Sequence, residues 1–197
     1  MKILAFVDTH GNLEAIKRLL IKGEGVDLLV CAGDISNFGR NLKESIAKLK
    51  KLNKPMLIIH GNHESEEQIK ELSKEFSWLI NLHKGSYQLG EYYFFGYGGG
   101  GFSSEDREYE RVIKKFKKTL KKDAKLIIVT HGPPYGTRCD LLPHQGYRGC
   151  KTYTEMDKEL KPILHICGHL HETAAVRDRI GNTLVINPGA EGKIIRI

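Results

Sequence analysis

Leu57-Ile58-Ile59-His60-Gly61-Asn62-His63-Glu64 runs an apolar strand straight into a tight turn bearing an amide, an imidazole and a carboxylate. Ser65-Glu66-Glu67-Gln68 follows and has the form of a capping box, so a helix starts there. Strand, glycine turn and helix start, in that order, make the unit from which parallel α/β sheets are built. Such sheets present chemistry at the carboxyl ends of their strands.

The same unit recurs toward the N-terminus. Lys2–Val7 is short, apolar and unbroken, as a strand buried on both faces would be. Asp8-Thr9-His10-Gly11-Asn12 is the turn after it, and Asn12 is placed to cap a helix with Leu13, Ile16, Leu19 and Leu20 on its apolar face. Asp27–Cys31 is a second strand, ending in Gly33-Asp34, and a helix is predicted from about Asn41 to Lys51. Pro55–Ile59 is the third strand. Three units in series predict a parallel, right-handed arrangement.

Toward the C-terminus, Ser86–Leu89 and Glu91–Tyr97 read as antiparallel strands joined at Gly90. Gly98 to Gly101 lacks the spacing of a nucleotide-binding loop and reads as a flexible rim loop. A helix with Tyr109, Val112, Phe116 and Leu120 on one face precedes the strand Lys125–Thr130, which ends in His131-Gly132-Pro133-Pro134. A long polar loop, Tyr135 to Cys150, has the length of a functional or mobile segment. Thr152-Tyr153-Thr154-Glu155 predicts a second capping box. The strand Pro162–Cys167 runs into Gly168-His169-Leu170-His171, and the rest reads as a meander with a Gly181-Asn182 turn. With no repeat or linker, one domain over 1–197 is expected.

A hydrophobic fraction of 40% over 197 residues fits a globular chain and excludes a disordered one. No apolar run reaches membrane-spanning length, and Ile3–Val7 is too short for a signal segment, so a cytoplasmic protein is expected. The net charge of +7 would suit an anionic partner, but the lysines crowd Lys114 to Lys125, as on a solvated helix face. Nucleic acid is therefore only weakly implied as a partner. The four cysteines form no CxxC pair; Cys31 and Cys167 read as buried small hydrophobes, and a Cys139–Cys150 disulfide is a minor expectation.

Five turns share one grammar. An apolar strand ends and metal-competent residues follow: Asp8 and His10; Asp34; Asn62 and His63; His131; His169 and His171. Each turn alone is ordinary loop chemistry. Jointly they are hard to obtain from structural need, and imidazole mixed with carboxylate and amide oxygen suits manganese, iron, nickel or zinc. His60, His83, His144 and His165 lack such partners and read as structural or surface residues, with His144 the one candidate for a substrate contact.

The order Asp8-x-His10, Gly33-Asp34, Gly61-Asn62-His63-Glu64, His131 and Gly168-His169-x-His171 resembles the calcineurin-like metallophosphoesterases over nearly the whole chain, in a compact phosphodiesterase-like form. The resemblance implies an α/β fold, a four-layer αββα sandwich of two mixed β-sheets flanked by helices. It implies two divalent metal ions, manganese first. Asp8, His10 and His171 would hold one, Asn62, His131 and His169 the other, and Asp34 would bridge them. A bridging hydroxide would attack phosphorus in line, with His63 assisting the leaving group. The substrate would be a phosphate-ester small molecule or a nucleotide.

Phosphomonoesterase relatives often carry an acid and an arginine just after the Gly-Asp turn, whereas this chain has Asn37 and a displaced Arg40. A neutral Asn supports an imidazolium less than an acid would, which leans the expectation toward diesters. Arg40, Arg138 and Arg148 are candidate phosphate clamps. Asn187 is a candidate for orienting a ligand histidine, Glu64 reads as an acid favoured at a helix start, and Gly61 as the residue that lets the backbone turn. The rival readings are a monoesterase or nuclease of the same fold, and a scaffold that has lost catalysis.

Overall fold

The computed structural model describes residues 1–121 and 123–197. The predicted units build the first half: β1 (Lys2–Phe6), α1 (Leu13–Lys22), β2 (Leu28–Cys31), α2 (Leu42–Leu49), β3 (Met56–Ile58), α3 (Glu66–Glu75) and β4 (Leu79–Asn81). The remainder supplies β5 (Gly85–Leu89), β6 (Tyr92–Tyr97), α4 (Arg107–Lys117), β7 (Lys125–Thr130), β8 (Leu141–Leu142), β9 (Gly146–Tyr147), α5 (Lys151–Leu160), β10 (Leu164–Ile166), β11 (Arg177–Ile180), β12 (Thr183–Ile186) and β13 (Lys193–Arg196). β1 to β4 pair in parallel, with β13 antiparallel on the outer side of β1. The second sheet runs β11-β12-β10-β7-β6-β5, parallel at its centre and antiparallel at both edges.

Side-chain alternation assembles the layers. Along Ile3–Val7, Ile3, Ala5 and Val7 join a core with Phe94, Ile127, Val129, Leu164 and Ile166 of the second sheet. Leu4 and Phe6 face the other way, onto Ile16, Leu19 and Ile46 of α1 and α2. In β7, Ile127 and Val129 face the first sheet, while Leu126 and Ile128 pack on Tyr109, Ile113, Tyr153 and Met156 of α4 and α5. A strand covered on both faces needs an apolar residue at every position, so these strands read as unbroken apolar runs. The architecture is the expected four-layer αββα sandwich.

Local expectations fare unevenly. Asn12 accepts from the amides of Glu14 and Ala15, and the Ser65–Gln68 box closes at both ends. The second box does not form: α5 begins at Lys151, and the Thr152 hydroxyl accepts instead from the Asp106 amide at 3.0 Å, joining the starts of α4 and α5. The polar loop contains the small β8–β9 hairpin, and β4 adds an edge strand beyond the expected elements. The expected terminal meander is also corrected. β11 and β12 form the hairpin, but β13 leaves it and pairs with β1 in the other sheet, Lys2 opposite Arg196. Lys114, Lys117 and Lys125 lie in exposed ion pairs with Glu110, Glu159 and Glu91, as a solvated face requires.

All four cysteines are free and buried. Cys139 packs with Cys167 and Val185, and Cys150 with Tyr153 and Met156 in a different cluster, so the expected Cys139–Cys150 disulfide is absent. Denatured protein should therefore titrate as four thiols per chain without reductant. A count of two would contradict this packing.

Candidate metal centre

Parallel strand order decides where the polar turns go. Asp8 and His10 follow β1, Asp34 follows β2, and Asn62 and His63 follow β3, three neighbours in one sheet. His131 follows β7, and His169 and His171 follow β10, two neighbours in the other. The structure brings all eight together. His10 Nε2 lies 3.0 Å from His171 Nε2 and 4.0 Å from Asp34 Oδ2. His171 Nε2 is 3.9 Å from Asp8 Oδ1. Asn62 Oδ1 is 2.9 Å from both His131 Nε2 and His169 Nδ1. Asp34 Oδ2 is 3.4 Å from His131 Nε2 and 3.9 Å from His63 Nε2.

These groups fit a cation. The Ala32 carbonyl accepts from His131 Nδ1 at 2.9 Å, so a neutral His131 turns the bare lone pair of Nε2 toward Asp34 and Asn62. Asp8 Oδ1 is buried with no hydrogen-bond partner. Such an atom is costly unless something positive meets it. Three overlapping sets have donor atoms within 4.8 Å of one another: Asp8, His10 and His171; His10, Asp34 and His63; Asp8, Asp34 and His131.

Burial drives the electrostatics. It pushes the Asp8 carboxyl up to about 6 and lowers His10. It also brings His169 down to about 4, helped by the His131 imidazole beside it. Burial pulls on His131 too, but the Asp34 carboxylate 3.4 Å away and the Asp8 carboxylate outweigh it and raise the imidazole. Asp34 is the mirror case: burial pushes it up, and His131 outweighs this and lowers it. His10 and His169 are therefore neutral at pH 7, as ligands must be, whereas an ionised Asp8 wants a cation beside it.

The backbone is shaped to the same end. Asp8, His10, Asp34 and His169 all have left-handed φ, at 56°, 45°, 51° and 69°. Bonds between turns hold them there: the His169 amide donates to Asp8 Oδ2 and the His63 amide to Asp34 Oδ1, each at 2.9 Å. Such conformations are uncommon outside glycine and cluster at functional sites.

Glu64 corrects its reading as an acid at a helix start. The cap of α3 is Ser65, and Glu64 is only 7% exposed. Its carboxylate accepts from the amides of Asp34 (3.0 Å), Ser36 (2.8 Å) and Gly61 (3.2 Å) and from the Ser36 hydroxyl (2.7 Å). It thus clamps the Asp34 turn to the Asn62 turn, a role with no local signature. Gly61 is needed for space rather than for turning, because its φ is not left-handed and a Cβ there would collide with the Asp34 carboxylate.

The other expected residues sort plainly. Asn187 is buried and donates to the Leu170 carbonyl at 3.0 Å, so it holds the backbone between His169 and His171 rather than either ring. Arg40, Arg138 and Arg148 are exposed, and among the described residues none forms an ion pair or bonds to a side chain of the centre. His144 is exposed between β8 and β9, and His165 is buried between Asp157 (2.7 Å) and Thr130 (2.8 Å). His60 donates to the Gly61 carbonyl at 2.9 Å. His83 Nδ1 accepts from the Gly98 amide at 2.7 Å, so its Nε2 carries the proton toward Glu66 and is no ligand nitrogen.

Comparison with known proteins gives the family of the chain. An uncharacterised protein of Methanocaldococcus jannaschii is 31% identical over 99% of this chain and 91% of its own length. A probable glycerophosphodiester phosphodiesterase of Arcobacter nitrofigilis is 25% identical over 75% of this chain, which spans 58% of that protein. The solved structure of a Thermus thermophilus protein, TT1561, shares the fold with a TM-score of 0.76 at 18% identity, over 96% of this chain and 90% of that one. The calcineurin-like phosphoesterase family matches residues 1–173, a span that holds every polar turn of the centre, and the chain belongs to that family.

Proposed function

We propose that the protein is a dinuclear metal-dependent phosphodiesterase acting on phosphate-ester small molecules or nucleotides. The observation that carries it is the unpartnered Asp8 Oδ1 facing a ring of imidazoles and carboxylates. Asp8, His10 and His171 would hold one ion, and Asn62, His131 and His169 the other. Asp34 lies within reach of both sets, 4.0 Å from His10 and 3.4 Å from His131. Two bound divalent cations, manganese first and iron, nickel or zinc as alternatives, supply charge neutralisation at the phosphoryl oxygens and an acidified water.

The chain does the rest. The Ala32 carbonyl fixes the tautomer of His131. His63 follows Asn62, keeps its ring 20% exposed, and would steady or protonate the leaving oxygen. Among the described residues no acid meets its other nitrogen: His63 Nδ1 is buried without a hydrogen-bond partner, and Asn37 is exposed. An enzyme without that support is better suited to diesters, whose single charge asks less of the site. The Arcobacter relative, by its name a glycerophosphodiester phosphodiesterase, supports the same leaning. The return of β13 to β1 supports one domain over 1–197. Four buried free thiols suit the cytoplasm, where thiols stay reduced; among the described residues no helix is long and apolar enough to cross a membrane.

Chelator-treated protein is expected to lose hydrolysis of bis(p-nitrophenyl) phosphate and to regain it with manganese. Metal analysis should then find two ions per chain, and thermal melting should shift upward as the cations bind the folded form. The diester should be hydrolysed faster than p-nitrophenyl phosphate. One ion per chain would refute the dinuclear reading, and a faster monoester the diesterase reading.

A further inference from the structure

Of seven phenylalanines, Phe6, Phe76, Phe94, Phe95 and Phe116 lie in or against the cores. Phe38 and Phe102 are 72% and 78% exposed, yet each rests on a histidine of the metal centre. Phe38 stacks on His63, with ring centroids 4.1 Å apart and planes at 28°. Phe102 stands edge-on to His169, at 4.6 Å and 88°. His63 follows Asn62, whose Oδ1 is 2.9 Å from His169 Nδ1. The two rings therefore contact histidines from two turns of the centre, the Asn62-His63 turn and the His169 turn, which the Asn62–His169 contact joins.

Burial does not explain two rings held largely in water, and the backbone under each is unusual. Phe38 and Gly39 have consecutive positive φ values, 50° and 74°, and the Arg40 amide donates to the Asn37 carbonyl at 3.1 Å. That is a type I′ turn, where Asn or Gly is the ordinary occupant and a phenylalanine is strained. Phe102 follows Gly99, Gly100 and Gly101, with φ of 77°, 77° and 95°. A Cβ at Gly101 would stand 2.7 Å from the His169 ring, so only glycine lets this loop lie against His169 and place Phe102 at its edge. One ring comes from the first sheet, after β2, and the other from the second, after β6.

We infer that Phe38 and Phe102 form an aromatic clamp selecting phosphate esters that carry a planar aromatic group, a nucleobase or an aryl ring. The inference rests on the phosphodiesterase reading and narrows its substrate class. Exposed ring faces gain from stacking on any planar π-system, whereas a glycerol or ethanolamine substituent offers none.

Calorimetric titration of the manganese-loaded protein with phenylphosphonate and with methylphosphonate tests this, since the two share a head group and neither is hydrolysed. The phenyl compound should bind about tenfold tighter, the order that base stacking supplies. Phe38→Asn, which accepts the left-handed φ, and Phe102→Ala should each reduce that preference, and the double variant should abolish it, with the methylphosphonate Kd unchanged. Equal wild-type affinities, or a preference intact in the double variant, would overturn the clamp. So would equal losses for both ligands, since the rings would then only brace His63 and His169. Binding needs no turnover: a protein inert toward every ester but selective for the phenyl compound keeps the clamp and loses the esterase. Rapid diester hydrolysis without that selectivity does the reverse.

Discussion

Replacing His63 with alanine is expected to lower kcat on a phosphodiester by about 10²- to 10⁴-fold, the range for loss of a positioned acid, while manganese content stays at the wild-type level. The separation follows from which atoms of His63 do what. Its backbone amide, not its ring, donates to Asp34 Oδ1 at 2.9 Å, so alanine keeps that bond. The ring makes no hydrogen bond through Nδ1, and its Nε2 stands 3.9 Å from Asp34 Oδ2. Metal analysis beside the kinetics decides the point. His10, Asp34 and His63 also converge within 4.8 Å, so loss of one ion along with activity would make His63 a ligand instead.

Glu64→Ala should be the most damaging change outside the proposed ligands. Three buried amides and a hydroxyl converge on this one carboxylate. Removing it leaves donors without an acceptor, and an unmade buried hydrogen bond costs about 1–3 kcal/mol. A loss of about 3–5 kcal/mol is expected for the cluster, at the upper end of single substitutions. Were Glu64 only an acid favoured by the α3 dipole, the cost would be about 0.3–1 kcal/mol. Denaturant unfolding in chelator separates the two values without a contribution from metal binding. The same variant should bind manganese more weakly, because the clamp sets the Asp34 turn against the Asn62 turn.

The parts of this molecule visible in the sequence are those set by neighbours along the chain. Ile3–Val7 and Leu126–Val129 announce themselves because both faces of each strand are covered. The candidate ligands announce themselves because parallel strands deliver their carboxyl ends to one edge. What stayed hidden depends on distant partners. Glu64 has the same local pattern whether it caps a helix or bridges residues about 30 positions away. Thr152 matches a capping box, but the Asp106 amide claims its hydroxyl. β13 alternates like any edge strand, and nothing near Lys193–Arg196 states which sheet it joins. The left-handed φ values at Asp8, His10, Asp34 and His169 also depend on distant partners, since bonds such as those from the His169 amide to Asp8 and from the His63 amide to Asp34 join turns far apart in the chain.

Those four residues set selection for durability against selection for turnover. Asparagine or glycine would relax the backbone at each position, and at Asp8 asparagine would also remove a buried charge. Both effects strengthen the metal-free fold, and both dismantle the centre. A screen for heat-resistant variants run in chelator would therefore enrich variants without hydrolysis, starting at the four residues proposed to hold the ions. The same screen run with manganese would protect them, because the cation then stabilises what the backbone resists.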